Sequence, residues 1–153
     1  MTPAAVAESI VDLIEALDPS LRKEIIWPMY LRMVQNQDAE VVCKALQNLQ
    51  QVTSHMEPTP DQFKTLFSVF DKLATSEQSQ ASGSKAHKYN TKLVLSENAF
   101  TCGGVDNELT YPLFTTLVLC IDENINISLN SLKHLDSLMN DRAAKDKLST
   151  SIH

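Results

Sequence analysis

The sequence contains little of what a β-rich or disulfide-stabilised protein needs. Its 153 residues include three glycines, six prolines and three cysteines. So few glycines argue against an all-β fold, because tight hairpin turns depend on residues that tolerate positive φ. An odd number of widely spaced cysteines does not make a disulfide framework. We therefore expect a reducing, intracellular compartment, cytoplasmic or nuclear.

Long apolar runs and an excess of basic charge are also missing. The longest apolar stretch, residues 117–121, is far too short to cross a bilayer. No basic segment followed by an apolar run opens the chain, so we expect neither a secretory signal nor a membrane partner. The net charge of −6 repels polyanions, and nucleic acid is therefore not the favoured partner.

What the chain does contain is apolar residues at helical spacing. Intervals of three and four residues recur along most of its length, which is typical of amphipathic helices. They predict one domain, residues 1–141, with an N-terminal helix followed by three helical hairpins. The predicted hairpins cover about 19–56, 61–99 and 108–140, with a polar loop at 75–84 in the second and a C-terminal tail at 142–153.

Two of these hairpins carry a related signature. Residues 27–30 (WPMY) correspond to residues 111–114 (YPLF), 84 positions further on. An aspartate follows each proline by ten residues, Asp38 in one case and Asp122 in the other. A spacing of 84 is two periods of about 42 residues, within the range of helical-hairpin repeats. Each aspartate precedes a predicted helix, and we predict that both cap it.

The first and third hairpins resemble HEAT repeats, which are related to armadillo repeats. From Asp38, the residues Val41, Ala45 and Leu49 follow the spacing of the second helix of that repeat, and Pro28 fits its kinked first helix. The resemblance implies an all-α, right-handed α-solenoid of about three hairpins. It also implies that the stack presents a surface to other proteins.

We therefore predict a non-catalytic scaffold or adaptor for protein partners, acting as a subunit of a complex or as the terminal piece of a longer array. No enzymatic activity, cofactor or metal is expected, because the histidines and cysteines lack ligand spacing. Two aromatic side chains, which at helical spacing also fit the core, and the residues of two inter-helix turns are the candidate partner contacts: Trp27, Tyr30, Gln35, Asn36, Gln37, Asp122, Glu123 and Asn124.

Two alternatives stay open. A small-molecule-binding or enzymatic helical domain would need polar groups converging on the inward helix faces. A nucleic-acid-binding module would need a local basic patch, for which Lys85, Lys88 and Lys92 are the candidates. Ser79, in the polar loop, is a candidate phosphorylation site.

Overall fold

A computed structural model describes the backbone of residues 2–75, 85–101 and 112–151, and the side chains of 2–75, 90–100 and 112–140. The fold is all-α and 85% helical, which confirms the predicted class. Ser79 and nearly all of the predicted polar loop lie outside the described residues. The helices are α1 (Pro3–Glu8), α2 (Ile10–Ala16), α3 (Pro19–Leu21), α4 (Trp27–Val34), α5 (Ala39–Gln47), α6 (Leu49–Met56), α7 (Pro60–Thr75), α8 (Lys85–Asn98), α9 (Leu113–Cys120) and α10 (Ile125–Ser151).

The N-terminal segment forms two short helices where the sequence predicted one. The Thr2 hydroxyl accepts the Ala5 N–H at 3.2 Å, and Pro3 occupies the first helical position, as expected for a helix start. The helix ends at Ser9, and α2 begins directly after it. Ile10 and Ile14 are fully buried, so α2 still contributes its apolar stripe to the core.

Pro28 lies inside a helical segment that runs from α3 to α4, as predicted. A π-helical turn, Arg22–Ile26, joins the two helices immediately before it. Proline lacks an N–H and its ring collides with the preceding turn, at a cost of about 3 kcal/mol in a regular helix. The wider turn accommodates both defects. The Arg22 Nε also donates to the carbonyls of Ile14 and Leu17, at 2.7 and 3.0 Å, and so ties this turn to the end of α2.

The helices pack in a sequential order. α1 packs against α5 and α2 against α6, so the N-terminal pair covers one side of the first hairpin, α4–α5. On the other side α5 packs against α8, which in turn packs against α10. α7 contacts both α8 and α9, and α9 pairs with α10. One apolar core, from Ala7 to Ile127, runs through these layers.

The inter-helix turns repeat in atomic detail. In the α4–α5 turn, Asn36 Oδ1 accepts the Asp38 N–H at 2.8 Å, and Asp38 Oδ1 accepts the Glu40 N–H at 3.0 Å. In the α9–α10 turn, Asp122 Oδ1 accepts the Asn124 N–H at 2.9 Å. Asn124 Oδ1 then accepts the N–H two residues further on, also at 2.9 Å. In both turns, therefore, two Asn or Asp side chains at equivalent positions each accept the N–H of the residue two positions further on.

This match corrects the predicted register of the repeat. α4 ends at Val34 and α9 at Cys120, so equivalent residues are 86 positions apart and not 84. Asp38 caps α5 as predicted, but its equivalent is Asn124. The prediction that Asp122 caps the last helix is wrong. The two prolines do not occupy equivalent positions. Pro28 lies within a helix after a π turn, whereas Pro112 directly precedes α9.

Candidate interaction surface

The two predicted aromatic contacts lie in the core. Trp27 is 6% exposed and Tyr30 is fully buried. Their rings stack with centroids 6.3 Å apart, and the Tyr30 hydroxyl donates to the Ala45 carbonyl at 2.8 Å. Tyr30 therefore joins α4 to α5, and Trp27 packs beside it within α4. Both side chains are largely covered by the protein itself, and their role in binding stays a prediction.

The predicted contacts in the α4–α5 turn are at the surface. Gln35, Asn36 and Gln37 are all exposed. The Gln35 Nε2 donates to the Leu31 carbonyl at 2.9 Å, and Asn36 takes part in the capping of α5. These side chains stabilise the turn, and their role in binding stays a prediction.

The predicted contacts in the α9–α10 turn have mixed surroundings. The Asp122 side chain is 12% exposed and forms an ion pair with Lys92, whose Nζ lies 3.2 Å from Asp122 Oδ2. Asn124 caps α10, and Glu123 is exposed. Lys92 is thus held by a carboxylate. Lys85 and Lys88, the other lysines of the predicted basic patch, have side chains outside the described set.

An exposed apolar surface on the last hairpin was not predicted from the sequence. Eight large apolar side chains of the last hairpin are between 45% and 83% exposed. We call this set the hairpin face. Its members are Leu113, Phe114, Leu117 and Ile121 in and directly after α9, and Ile125, Leu129, Leu132 and Met139 in α10.

The composition of α9 explains half of this surface. The helix, LFTTLVLC, has no charged residue, and its two polar residues, Thr115 and Thr116, are fully buried. The Thr116 hydroxyl donates to the Pro112 carbonyl at 2.8 Å, so it needs no water. A helix that is apolar around its whole circumference is typically buried on all sides. This one packs against α7, α8 and α10 and leaves an apolar face uncovered.

α10 has two apolar faces. Ile127, Ser131 and Leu138 are buried toward the bundle. The exposed members of the hairpin face recur on the opposite side at intervals of four and three residues, followed by seven. Asp136 occupies the position that completes this stripe. An amphipathic helix at a protein surface needs only one apolar face, so the second one requires a separate explanation.

The first hairpin shows what normally covers these positions. Leu46 and Leu132 are equivalent, 86 residues apart, and they are 0% and 45% exposed. Leu129 corresponds to Cys43, whose thiol lies 4.0 Å from the Thr91 hydroxyl of α8. In the α4–α5 hairpin this direction is therefore occupied by a helix of the next hairpin. In the described part of the chain, no helix occupies it on α10.

The exposed area is that of a protein interface. The eight side chains together expose on the order of 800 Å², whereas the largest apolar patch of a typical monomer covers about 300–600 Å². A standard interface buries about 800 Å² on each partner. The hairpin face is therefore large enough to bind a folded partner.

The titratable groups of the described residues do not form a reactive cluster. Burial raises the pKa of the Cys43 thiol and of the Cys120 thiol, so both are poor nucleophiles at neutral pH. Burial lowers the pKa of His134, whose ring packs against Phe100 with centroids 4.1 Å apart. Within the described residues, no group of three or more histidine, cysteine or acidic side chains could hold a metal ion.

No protein-family model matches this chain, and no curated protein or solved structure is significantly similar to it. Function must therefore be inferred from the geometry of the hairpin face. Among the described residues, no helix is both long and apolar enough to span a membrane.

Proposed function

We propose that this chain is a non-catalytic protein-interaction module, a scaffold or adaptor that binds an α-helix of a protein partner on its hairpin face. The observation that supports the proposal is the exposure of eight large apolar side chains in the α9–α10 hairpin, two helices that pack against each other. Water-exposed apolar area of this size is unfavourable by about 25 cal/mol per Å², and a partner removes that cost.

The equivalence of the two hairpins supports a helix as the bound element. The stripe on α10 corresponds to the side of α5 that packs against α8. Its spacing of three and four residues suits ridges-into-grooves packing with another helix. Binding of an amphipathic helix in an apolar groove is a common mode of recognition.

In this proposal the hairpins stack as a right-handed α-solenoid of the HEAT or armadillo kind. The sequential packing of α5, α8 and α10 supports a stack. An offset of 86 residues is two periods of about 43, within the range of HEAT and armadillo repeats. The chain would then act as a subunit of a complex or as the end of a longer array, with α10 at the open side.

The buried hydroxyl groups support a role without catalysis. An enzymatic site between helices would need polar groups that converge on a substrate. Instead, each buried hydroxyl in the described residues donates to a group of the protein itself. Thr53, Ser96, Thr116 and Ser131 bond to backbone carbonyls, and Thr115 bonds to Asp71.

Affinity capture of the tagged chain from cells, followed by mass spectrometry, tests this proposal. We expect a stoichiometric partner that is lost on Leu117→Glu, because a carboxylate in the middle of the hairpin face would have to be desolvated. Ile25→Glu is the matched control, since Ile25 is 49% exposed and Leu117 is 48% exposed. Circular dichroism checks that both variants stay helical. Equal capture by both variants would contradict the proposal.

A further inference from the structure

We propose that the partner of the hairpin face is a second copy of this chain, bound through a two-fold axis with the two α10 helices antiparallel. This inference rests on the proposed function and specifies the partner. The dimer would bury the exposed side chains of both α9 and α10 in one interface.

The area and chemistry of the face fit self-association. On the order of 800 Å² of apolar side chain per copy gives a two-fold interface of standard size without any other surface. The centres of homodimer interfaces are more apolar than other interfaces and contain few charges. Leu117, Leu129 and Leu132 of the hairpin face have this character, whereas Asp136 is a charged residue within the stripe on α10.

Two charged residues of α10 decide the orientation. Lys133 and Asp136 are both exposed. A parallel, in-register pair of α10 helices would place each of them against its own copy. It would also set two Asp136 carboxylates within an apolar seam. Like charges placed opposite each other are destabilising, so the parallel arrangement is unfavourable.

An antiparallel arrangement separates these like charges. A two-fold axis that passes near Ser128 moves Lys133 and Asp136 of one copy away from the same residues of the other copy. It also directs Asp136 toward the N-terminal end of the other α10, where the helix dipole favours an anion.

The same axis pairs the apolar residues along the stripe. Leu129 lies beside the axis and contacts its own counterpart. Ile125 of each copy lies opposite Leu132 of the other, because the two positions are nearly symmetric about residue 128. The register that separates the like charges is thus also the register that fills the interface with apolar side chains.

Sedimentation velocity of the purified chain at increasing concentrations tests the dimer. We expect a reversible monomer–dimer equilibrium in which Leu129→Glu raises the Kd by about 100-fold or more, since two carboxylates would meet at the axis. The control is Ile25→Glu, because Ile25 is 49% exposed and Leu129 is 47% exposed. That control should leave the Kd unchanged.

Charge reversal at Asp136 tests the orientation. In the antiparallel dimer, Asp136→Lys should raise the Kd about fivefold, because it places a cation near the N-terminal end of the other α10. A parallel dimer would keep its Kd, since the change replaces one pair of opposed like charges by another.

Two results would overturn this inference. One is a monomer at every concentration up to roughly 100 µM, where interfaces of this size associate measurably. The other is a dimer that Leu129→Glu leaves intact. The proposed function has a separate criterion: it fails if the wild-type chain is monomeric and also captures no partner from cells. If the chain is monomeric but captures a partner that is lost on Leu117→Glu, the proposed function holds and that partner, not a second copy, binds the hairpin face.

Discussion

The α4–α5 and α9–α10 hairpins have the same turn and different neighbours. In the first, α1 and α8 pack on α5, and Leu46 is fully buried. In the second, the bundle covers one side only, and the equivalent Leu132 is 45% exposed. Nevertheless both hairpins carry apolar residues on both sides. The last hairpin therefore carries apolar side chains on a side that no helix of the described residues covers.

The different burial of Leu46 and Leu132 predicts that replacing each of them by alanine has very different effects on stability. Leu46→Ala should lower the free energy of unfolding by about 3 kcal/mol, because it removes buried methyl groups and leaves a cavity. Leu132→Ala should lower it by less than about 1 kcal/mol in the monomer, because that side chain is already half in water. Urea unfolding followed by circular dichroism measures both. Similar losses would mean that the two positions are equally covered in solution.

The helical class could be predicted from the sequence because apolar periodicity reflects which residues face inward. Which side of a helix is covered by a neighbour could not be predicted, because that depends on the tertiary packing of helices that are far apart in the sequence. Residues 117–121 illustrate the limit. As a sequence they are a short apolar run, and only the packing of α9 shows that Leu117 and Ile121 are exposed.

The candidate site shows the same limit for aromatic residues. Trp27 and Tyr30 are of residue types that are enriched at protein interfaces. Their helical spacing is compatible with either a core or a surface position. In the fold Tyr30 is buried with its hydroxyl bonded to the Ala45 carbonyl of α5, and Trp27 is buried beside it. The register error of two residues has a local cause too, since a π turn before Pro28 is not visible in apolar spacing.

Removal of the Tyr30 hydroxyl tests the core role of that residue. Tyr30→Phe should cost about 1–2 kcal/mol, because the buried Ala45 carbonyl loses the hydrogen bond that the hydroxyl donates. The ring remains, so the packing of α4 on α5 should persist. Denaturant unfolding gives the stability, and affinity capture should be unchanged. A variant that keeps its stability but loses partner binding would instead indicate that Tyr30 contributes to the interaction surface.

The caps provide a sharper test of the corrected register. Asp38→Ala and Asn124→Ala should each cost about 1 kcal/mol, because each removes the side chain that satisfies an N–H in the first turn of a helix. If the 84-residue spacing were correct, Asp122 and not Asn124 would cap α10. Thermal unfolding of Asp38→Ala and Asn124→Ala decides this, and an Asn124→Ala variant as stable as the wild type would contradict the 86-residue register.

The smallest expected effect is a pH dependence that belongs to the last hairpin. Burial lowers the pKa of His134 in the folded chain, so between its folded and unfolded pKa the unfolded state binds more protons. The contribution of this group is therefore present above the unfolded pKa of about 6.5 and is lost as the pH falls through and below it. His134→Phe keeps a ring against Phe100 and removes the titration. The difference in unfolding free energy between variant and wild type should change between pH 7.5 and 5.5 in favour of the variant. A constant difference would show that His134 is as hydrated in the native hairpin as in the unfolded chain.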